Sequence, residues 1–314
     1  MRVLITGGAG FIGSQLVRSC LDEGDEVRVL DDFSTGRPEN LAEVQNTIEL
    51  VKGTLVDFQT VQRAMSSCDV VYHLGALPSV AQSIQEPVRT HAVNVSGTVN
   101  VLEAARREGA QRVVYASSCA IYGDSESLPL REELAPLPRS PYALHKLIGE
   151  LYCQHFAQVY GLEAVALRYF NVFGPRQDPS SLYAAVVPRF VNAIVRGEAP
   201  RIYGDGHQSR DFVFVNDVVA ATRAAASGSA EVVGEIFNVA GGAGVSVLEL
   251  LDRVRQTAGR GPIEAVFEPA RSGDIRHSHA DIGKAERTLG WRPRRSLAEG
   301  LRATLAAITG EAHT

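Results

Sequence analysis

Tyr142 and Lys146 lie four residues apart in a stretch whose apolar spacing predicts a long helix over 142–160. Residues at i and i+4 share a helix face, so the phenol and the ammonium are expected side by side. A lysine ammonium next to a tyrosine favours the phenolate. Tyrosine ordinarily ionises near pH ~10, so a base working near neutrality needs such help. A surface tyrosine with a solvated lysine is the plainer reading of the same spacing; the position of the pair, after a fifth strand, argues against it. That strand closes on Ser117 and Ser118 in the run Val113-Val114-Tyr115-Ala116-Ser117-Ser118. In parallel sheets, ligands bind in the crevice beyond the carboxyl ends of the strands. Ser118 is the candidate to hydrogen-bond a reacting hydroxyl, and turn chemistry alone accounts for Ser117.

A second cluster is suited to binding. Gly7, Gly10 and Gly13 are spaced GxxGxxG in the run Gly7-Gly8-Ala9-Gly10-Phe11-Ile12-Gly13, one position longer than the GxGxxG turn. Glycines let the backbone turn sharply and approach a pyrophosphate, while amides at the following helix start point at the anion. Gly13 permits close packing of helix on strand. Asp31 ends the second strand and Asp32 follows it. A carboxylate there accepts from the adenine ribose hydroxyls and repels a 2′-phosphate, so the expected cofactor is NAD rather than NADP. A glycine turn without a ligand is the alternative; strand, turn, helix and acid together oppose it. Asp57, after the third strand, either contacts adenine or caps a helix.

Apolar runs predict strands at 2–5, 27–30, 48–51, 70–74, 112–116 and 164–168. Helical spacing falls between them at 11–21, 61–65, 94–107 and 142–160. This alternation predicts an α/β chain with a doubly wound parallel Rossmann sheet. The later chain is less regular, with helices expected at 186–195, 217–226, 246–257 and 297–308 and short strands at 201–203, 212–215 and 237–239. It is read as a smaller C-terminal α/β substrate-binding lobe. The expected division is therefore 1–170 for the cofactor domain, including Ser118, Tyr142 and Lys146, and 171–314 for the lobe, with a late strand possible from segments that return to the sheet.

Composition bounds the rest. With 45% hydrophobic and 21% charged residues, the chain is ordinary globular material. A net charge of −5 argues against nucleic acid, though local arginines can hold an anionic ligand. The cysteines at 20, 68, 119 and 153 have neither metal-site nor disulfide spacing, so reduced thiols and no metal are expected. The chain opens on Met1-Arg2-Val3-Leu4-Ile5 without a leader-like segment and has no apolar run of about 18 residues. A cytoplasmic enzyme without membrane contact is the expectation.

The motifs TGGAGFIG (6–13), Asp31, YASSCAIYGD (115–124), YALHK (142–146), RYFNVFGPRQDP (168–179), SRDFVFVND (209–217) and RSGDIRHSHADIGKAERTLGW (271–291) span nearly the whole chain. Together they resemble the extended short-chain dehydrogenase/reductase family, specifically its UDP-sugar 4-epimerases of the UDP-glucose and UDP-N-acetylglucosamine type. The resemblance implies transient oxidation at sugar C4. Tyr142 would take the hydroxyl proton, NAD the hydride, and the 4-keto sugar would turn over and be reduced on its other face. It also implies that Lys146 tunes Tyr142 and holds the nicotinamide ribose, and that Leu74, Asn94 and Tyr169 join the cofactor contacts. Asn171, Arg210, Phe212, Arg271 and Asp274 would contact the nucleotide sugar, Val187 the uracil, and Ser278 the C2 region. A homodimer built from the helices at 94–107 and 142–160 is implied as well.

Dehydratases of this family carry an Asp-Glu pair just after the serine or threonine, and decarboxylases a glutamate. Here Cys119 and Ala120 stand there, and neither serves as the acid or base those reactions need. This departure favours epimerisation. A UDP-glucuronate 4-epimerase stays open, with Arg176, Arg189 and Arg276 as candidates for the C6 carboxylate. A non-catalytic NAD-binding regulator is the reading of a different class, and Ser118, Tyr142 and Lys146 count against it. A small residue at Ser278 leaves room for an acetamido group, so activity on N-acetylated as well as plain hexoses is expected.

Overall fold

The computed structural model describes residues 1–178, 185–261, 263–270 and 275–310. In chain order the elements begin with β1 (Arg2–Thr6), α1 (Phe11–Asp22), β2 (Glu26–Asp31), β3 (Glu49–Lys52), α2 (Phe58–Met65) and β4 (Val70–His73). Two short helices, α3 (Val80–Gln85) and α4 (Pro87–His91), lead through a π-wound turn at 92–96 into α5 (Gly97–Glu108). Then come β5 (Arg112–Ser118), α6 (Pro141–Tyr160), β6 (Glu163–Tyr169), β7 (Asn171–Phe173), α7 (Val186–Arg196), β8 (Arg201–Tyr203), β9 (Ser209–Phe214) and α8 (Val215–Ser227). The chain finishes with β10 (Ile236–Val239), β11 (Gly244–Ser246), α9 (Val247–Thr257), β12 (Val266–Glu268), α10 (Gly283–Leu289) and α11 (Leu297–Thr309).

The main sheet has seven strands in the order β10-β6-β5-β4-β1-β2-β3, every pairing parallel. Helices cover both faces, which is why the central strands read as unbroken apolar runs. Val3, Leu4 and Ile5 are fully buried, as are Val113 in β5 and Ala164, Val165 and Leu167 in β6. Each buried branched side chain contributes about 1.5–3 kcal/mol relative to an exposed one. The strand order reverses beside β1, and the crevice at that switch point opens at the carboxyl ends of β1, β4 and β5. Register in the β5–β6 pair sets Ser117 opposite Arg168 and Ser118 opposite Tyr169.

Most of the remaining elements form the smaller lobe. A three-stranded sheet, β11-β9-β7, and a two-stranded one, β12-β8, pack with α7, α9 and α11 around Phe173, Phe190, Phe214 and Leu250. Part of the chain after residue 170 returns to the main sheet and its covering helices. Val218, Val219 and Ala221 of α8, Phe237 and Val239 of β10, and Trp291 share a core with Val3 and Leu16.

Local signals explain the element ends that position the site. Ser140 caps α6 by accepting from Ala143 N at 3.2 Å, Pro141 occupies its first turn, and Gly161 ends it at φ +69. The pair α3 and α4 has no counterpart among the expected elements; at six and five residues they are too short for a helical period to show. The helix expected from residue 94 becomes regular only at Gly97, where an added Cβ would stand 2.8 Å from Leu55 Cβ.

Candidate active site

Gly7 sits at φ +72 with Gly75 backbone 2.8 Å from where a Cβ would be. At Gly13 a Cβ would lie 2.1 Å from Gly7 O. These contacts bring the β1–α1 turn against the loop after β4 and leave the backbone bare on the cleft side. No side chain caps α1, so the first amides of this helix remain available to an anion. Asp31 is pinned in place: Oδ2 accepts from Ala9 N at 2.9 Å and Oδ1 from Phe33 N at 2.8 Å. Burial pushes its carboxyl up, against the pull of the two amides.

A cleft of about 760 Å³ runs from this turn across the sheet edge. Its walls contain Gly7, Gly10, Phe11, Ile12, Gly13, Asp31, Asp32, Leu74, Ser118, Tyr142, Lys146, Tyr169 and Asn171. Bare backbone, helix amides and a buried acid in one wall are the donor and acceptor set that a dinucleotide requires, so the residues present fit NAD. Three ion pairs tie the segments after β2 and β7 together beside the cleft: Arg37 with Asp178, and Glu43 with both Arg176 and Arg18 of α1.

At the other end, Lys146 Nζ donates to Ala116 O at 2.6 Å and lies 5.0 Å from the Tyr115 ring centroid. Burial pushes this lysine down to about 8, opposed by Glu150 and Cys153. Burial pushes the Tyr142 phenol up to about 12, while the Ser118 hydroxyl acts to lower it. Desolvation therefore dominates at the phenol in the protein alone, and the lowering expected from Lys146 is not seen there. Tyr142 N donates to Ser83 Oγ at 3.0 Å, which fastens the start of α6 to α3. Ser118 Oγ accepts from Ala120 N at 3.2 Å at the start of a short 3-10 turn. Burial pushes the Cys119 thiol up to about 12, and the methyl of Ala120 has no acidic proton to donate.

Several residues chosen from sequence are placed elsewhere. Asp57 is outside the cleft wall; it caps α2, accepting from Gln59 N at 3.1 Å and from Thr60 Oγ1. Asn94 spends its amide on Leu77 N and O at 2.8 and 3.0 Å and shapes the loop after β4 from behind. Val187 is buried in the core of the smaller lobe. Phe212 is buried there too, edge-on to Phe173 at 6.4 Å. Ser278 is buried next to β9, its N donating to Ser209 O at 3.1 Å. Arg210 of β9 is not in the cleft wall; its Nη1 donates to Ser209 O at 2.8 Å. Arg271 and Asp274 lie outside the described residues. Of the arginines considered for a uronate, Arg176 is paired with Glu43, Arg276 with Asp205 at 2.8 Å, and Arg189 lies over the Tyr203 ring at 5.2 Å.

The structure also uses residues that sequence reading passed over. Ser34, Thr35 and Gly36 line the cleft after β2; their signal is the small polar run after Asp32, where the strand pattern stops. Asp211 accepts from the amides of Gly241, Gly242 and Ala280 at 2.6–3.2 Å. It ties β9 to the segment carrying Ser278. Among the described residues no cluster of three or more metal-ligating side chains occurs, and no helix is long and apolar enough to cross a membrane.

Residues 3–240 match the NAD dependent epimerase/dehydratase family. The chain belongs to that family. Within it, a UDP-glucose 4-epimerase of Mycolicibacterium smegmatis is 42% identical over 97% of both chains. A UDP-N-acetylglucosamine 4-epimerase from Methanobrevibacter ruminantium, solved with UDP-N-acetylmuramic acid, superposes with a TM-score of 0.94 at 37% identity over 99% of both chains. A UDP-N-acetyl-alpha-D-glucosaminuronate decarboxylase of Bacillus cytotoxicus is 32% identical over 97% of this chain and 96% of its own. The cofactor of the family is NAD, in agreement with the cleft. Relatives at this level of similarity differ in reaction, so the residues at the reacting end must separate epimerisation from decarboxylation.

Proposed function

We propose that this family member is a UDP-sugar 4-epimerase that interconverts UDP-GlcNAc with UDP-GalNAc and UDP-Glc with UDP-Gal. The observation that carries this is one stretch of cleft wall: Ser118, Tyr142 and Lys146 stand together, and Cys119 and Ala120 follow Ser118 where an eliminating or decarboxylating enzyme needs an acid. Tyr142 takes the proton of the sugar 4-hydroxyl. Ser118 shares the hydrogen bond to that oxygen, and Lys146 holds positive charge beside the phenol. When bound, NAD supplies the hydride acceptor and donor at C4 and, oxidised, a positive charge that assists ionisation of the phenol. With a bound cofactor able to take and return the hydride, the 4-keto sugar would be reduced on its opposite face while Tyr142 returns the proton, and no net redox change would result. Arg210 with Arg271 serves the diphosphate, a role suited to the guanidinium fork.

Supplying each UDP-sugar, including UDP-glucuronate, and separating the C4 epimers tests the reading. Interconversion of the hexose and N-acetylhexosamine pairs is the expected result. Turnover of UDP-glucuronate alone, or release of carbon dioxide from a uronate, would overturn it. The uronate reading has less support, since Arg176 and Arg276 already hold carboxylates.

We also assign the outer face of α6 to a second copy of the chain. Leu144, Leu151 and Val159 are 45–56% exposed there, beside Ile84 of α3 and Val88 of α4. A contiguous apolar face of this kind marks an interface. Sedimentation at micromolar concentration should report a dimer, and a monomer would refute it.

A further inference from the structure

Glu150 lies on α6 four residues beyond Lys146, on the same face, and is fully buried. A buried carboxylate is costly unless it is paired and hydrogen-bonded. Here it is held from two strands. Arg168 of β6 grips it as a fork, Nε to Oε1 at 2.9 Å and Nη2 to Oε2 at 2.8 Å. Ser117 of β5 donates its hydroxyl to Oε1. Arg168 in turn donates to the Tyr122 hydroxyl at 2.8 Å, and Tyr122 to Asn238 Oδ1 of β10 at 2.7 Å. The carboxylate thus joins the helix that carries Tyr142 and Lys146 to the strand end that carries Ser118.

Resting on the epimerase reading, we propose that Glu150 is a positioning residue, which holds Ser118 in register with Tyr142 through Ser117 and supplies the counter-charge that keeps Lys146 protonated. Other groups around the lysine do not fill that place. From β4 comes His73, held between Thr6 and Thr98 hydroxyls at 2.8 and 3.0 Å and kept neutral by burial. From β5 comes the Tyr115 ring. On α6 itself stand Tyr142, His145 and Cys153, with His91 of α4 behind His145 at 5.5 Å between ring centroids. The phenols and the thiol are protonated near neutrality, each pushed up by burial, and His145 is pushed down, mainly by burial. Glu150 is therefore the anion acting on Lys146, and it opposes the desolvation that drives the lysine to about 8.

The sequence contains lysine only at 52, 146 and 284, so protein labelled with 13C-lysine gives three side-chain signals, and Lys146→Met identifies the one sought. In Glu150→Gln the Lys146 titration should fall by about one pH unit or more. The alkaline limb of the kcat profile should move down with it, with KM little changed. In the double variant Glu150→Gln, Arg168→Met, which removes both charges, part of that shift should return. A Lys146 titration in Glu150→Gln that overlays the parent overturns the proposal. So does a lower kcat with an unmoved pH profile, because that is what loss of packing alone produces. Removing one partner of a buried pair can unfold a protein; Ser117→Ala leaves the ion pair intact, and its kcat should fall severalfold with the lysine titration unchanged. An unimpaired Ser117→Ala overturns the link to Ser118. A parent that epimerises no UDP-sugar would end the epimerase reading, while the lysine titration would still decide the charge relation.

Discussion

The two ends of the cleft achieve order by different means. At the glycine turn the backbone forms the wall, and the space is set by atoms that side chains must not enter. A Cβ on Gly13 would be 2.1 Å from a carbonyl oxygen. Asp31, the one acid there with two assigned amide partners, is locked by backbone. At the reacting end side chains form the wall. Their placement depends on a layer of buried side chains, Ser117, Glu150 and Arg168. Steric exclusion leaves the first end little freedom to vary, whereas the second can be retuned residue by residue. That contrast accounts for a family in which the cofactor is common and the reactions differ.

Substitutions at the two ends should therefore fail differently. Gly13→Ala forces backbone apart and should cost about 1–3 kcal/mol of stability, together with loss of bound NAD. Melting curves and extracted NAD content measure both, and parental NAD content in the variant would break the comparison. Tyr142→Phe removes one oxygen at the other end. Its kcat should fall about a hundred- to ten-thousandfold while melting temperature and NAD content hold; a near-parental rate would remove Tyr142 from its role as base. Asp31→Ala should weaken NAD binding about ten- to hundredfold, read by cofactor titration, and equal affinity would contradict the ribose assignment. Ser278→Tyr should have the smallest effect, lowering N-acetylhexosamine turnover about tenfold more than plain hexose turnover. Equal loss on both, with a lower melting temperature, would mean that the buried serine only fills space.

The first six strands, the glycine turn and the Tyr142–Lys146 pair were legible because each rests on a local rule: apolar runs in buried parallel strands, φ and spacing at glycines, and i,i+4 geometry. What escaped depends on partners far apart in sequence. Asp57 reads equally as ligand or cap until Gln59 and Thr60 are seen to use it. Phe212, in the matched stretch 209–217, and Val187, named for the uracil, are both buried in the core of the smaller lobe. Glu150 carried no signal of its own, since its partners Ser117 and Arg168 lie 33 and 18 residues away.

The seventh strand has a consequence for how the chain is made. Strand β6 ends at Tyr169, yet its outer neighbour β10 begins only at Ile236. A nascent chain emerging from the ribosome therefore presents Glu163–Tyr169 with a row of unpaired amides and carbonyls while some 66 further residues are added. Such an open apolar edge is a template for pairing with another chain. Completion of the sheet waits on the smaller lobe, whose synthesis must deliver the strand that closes it.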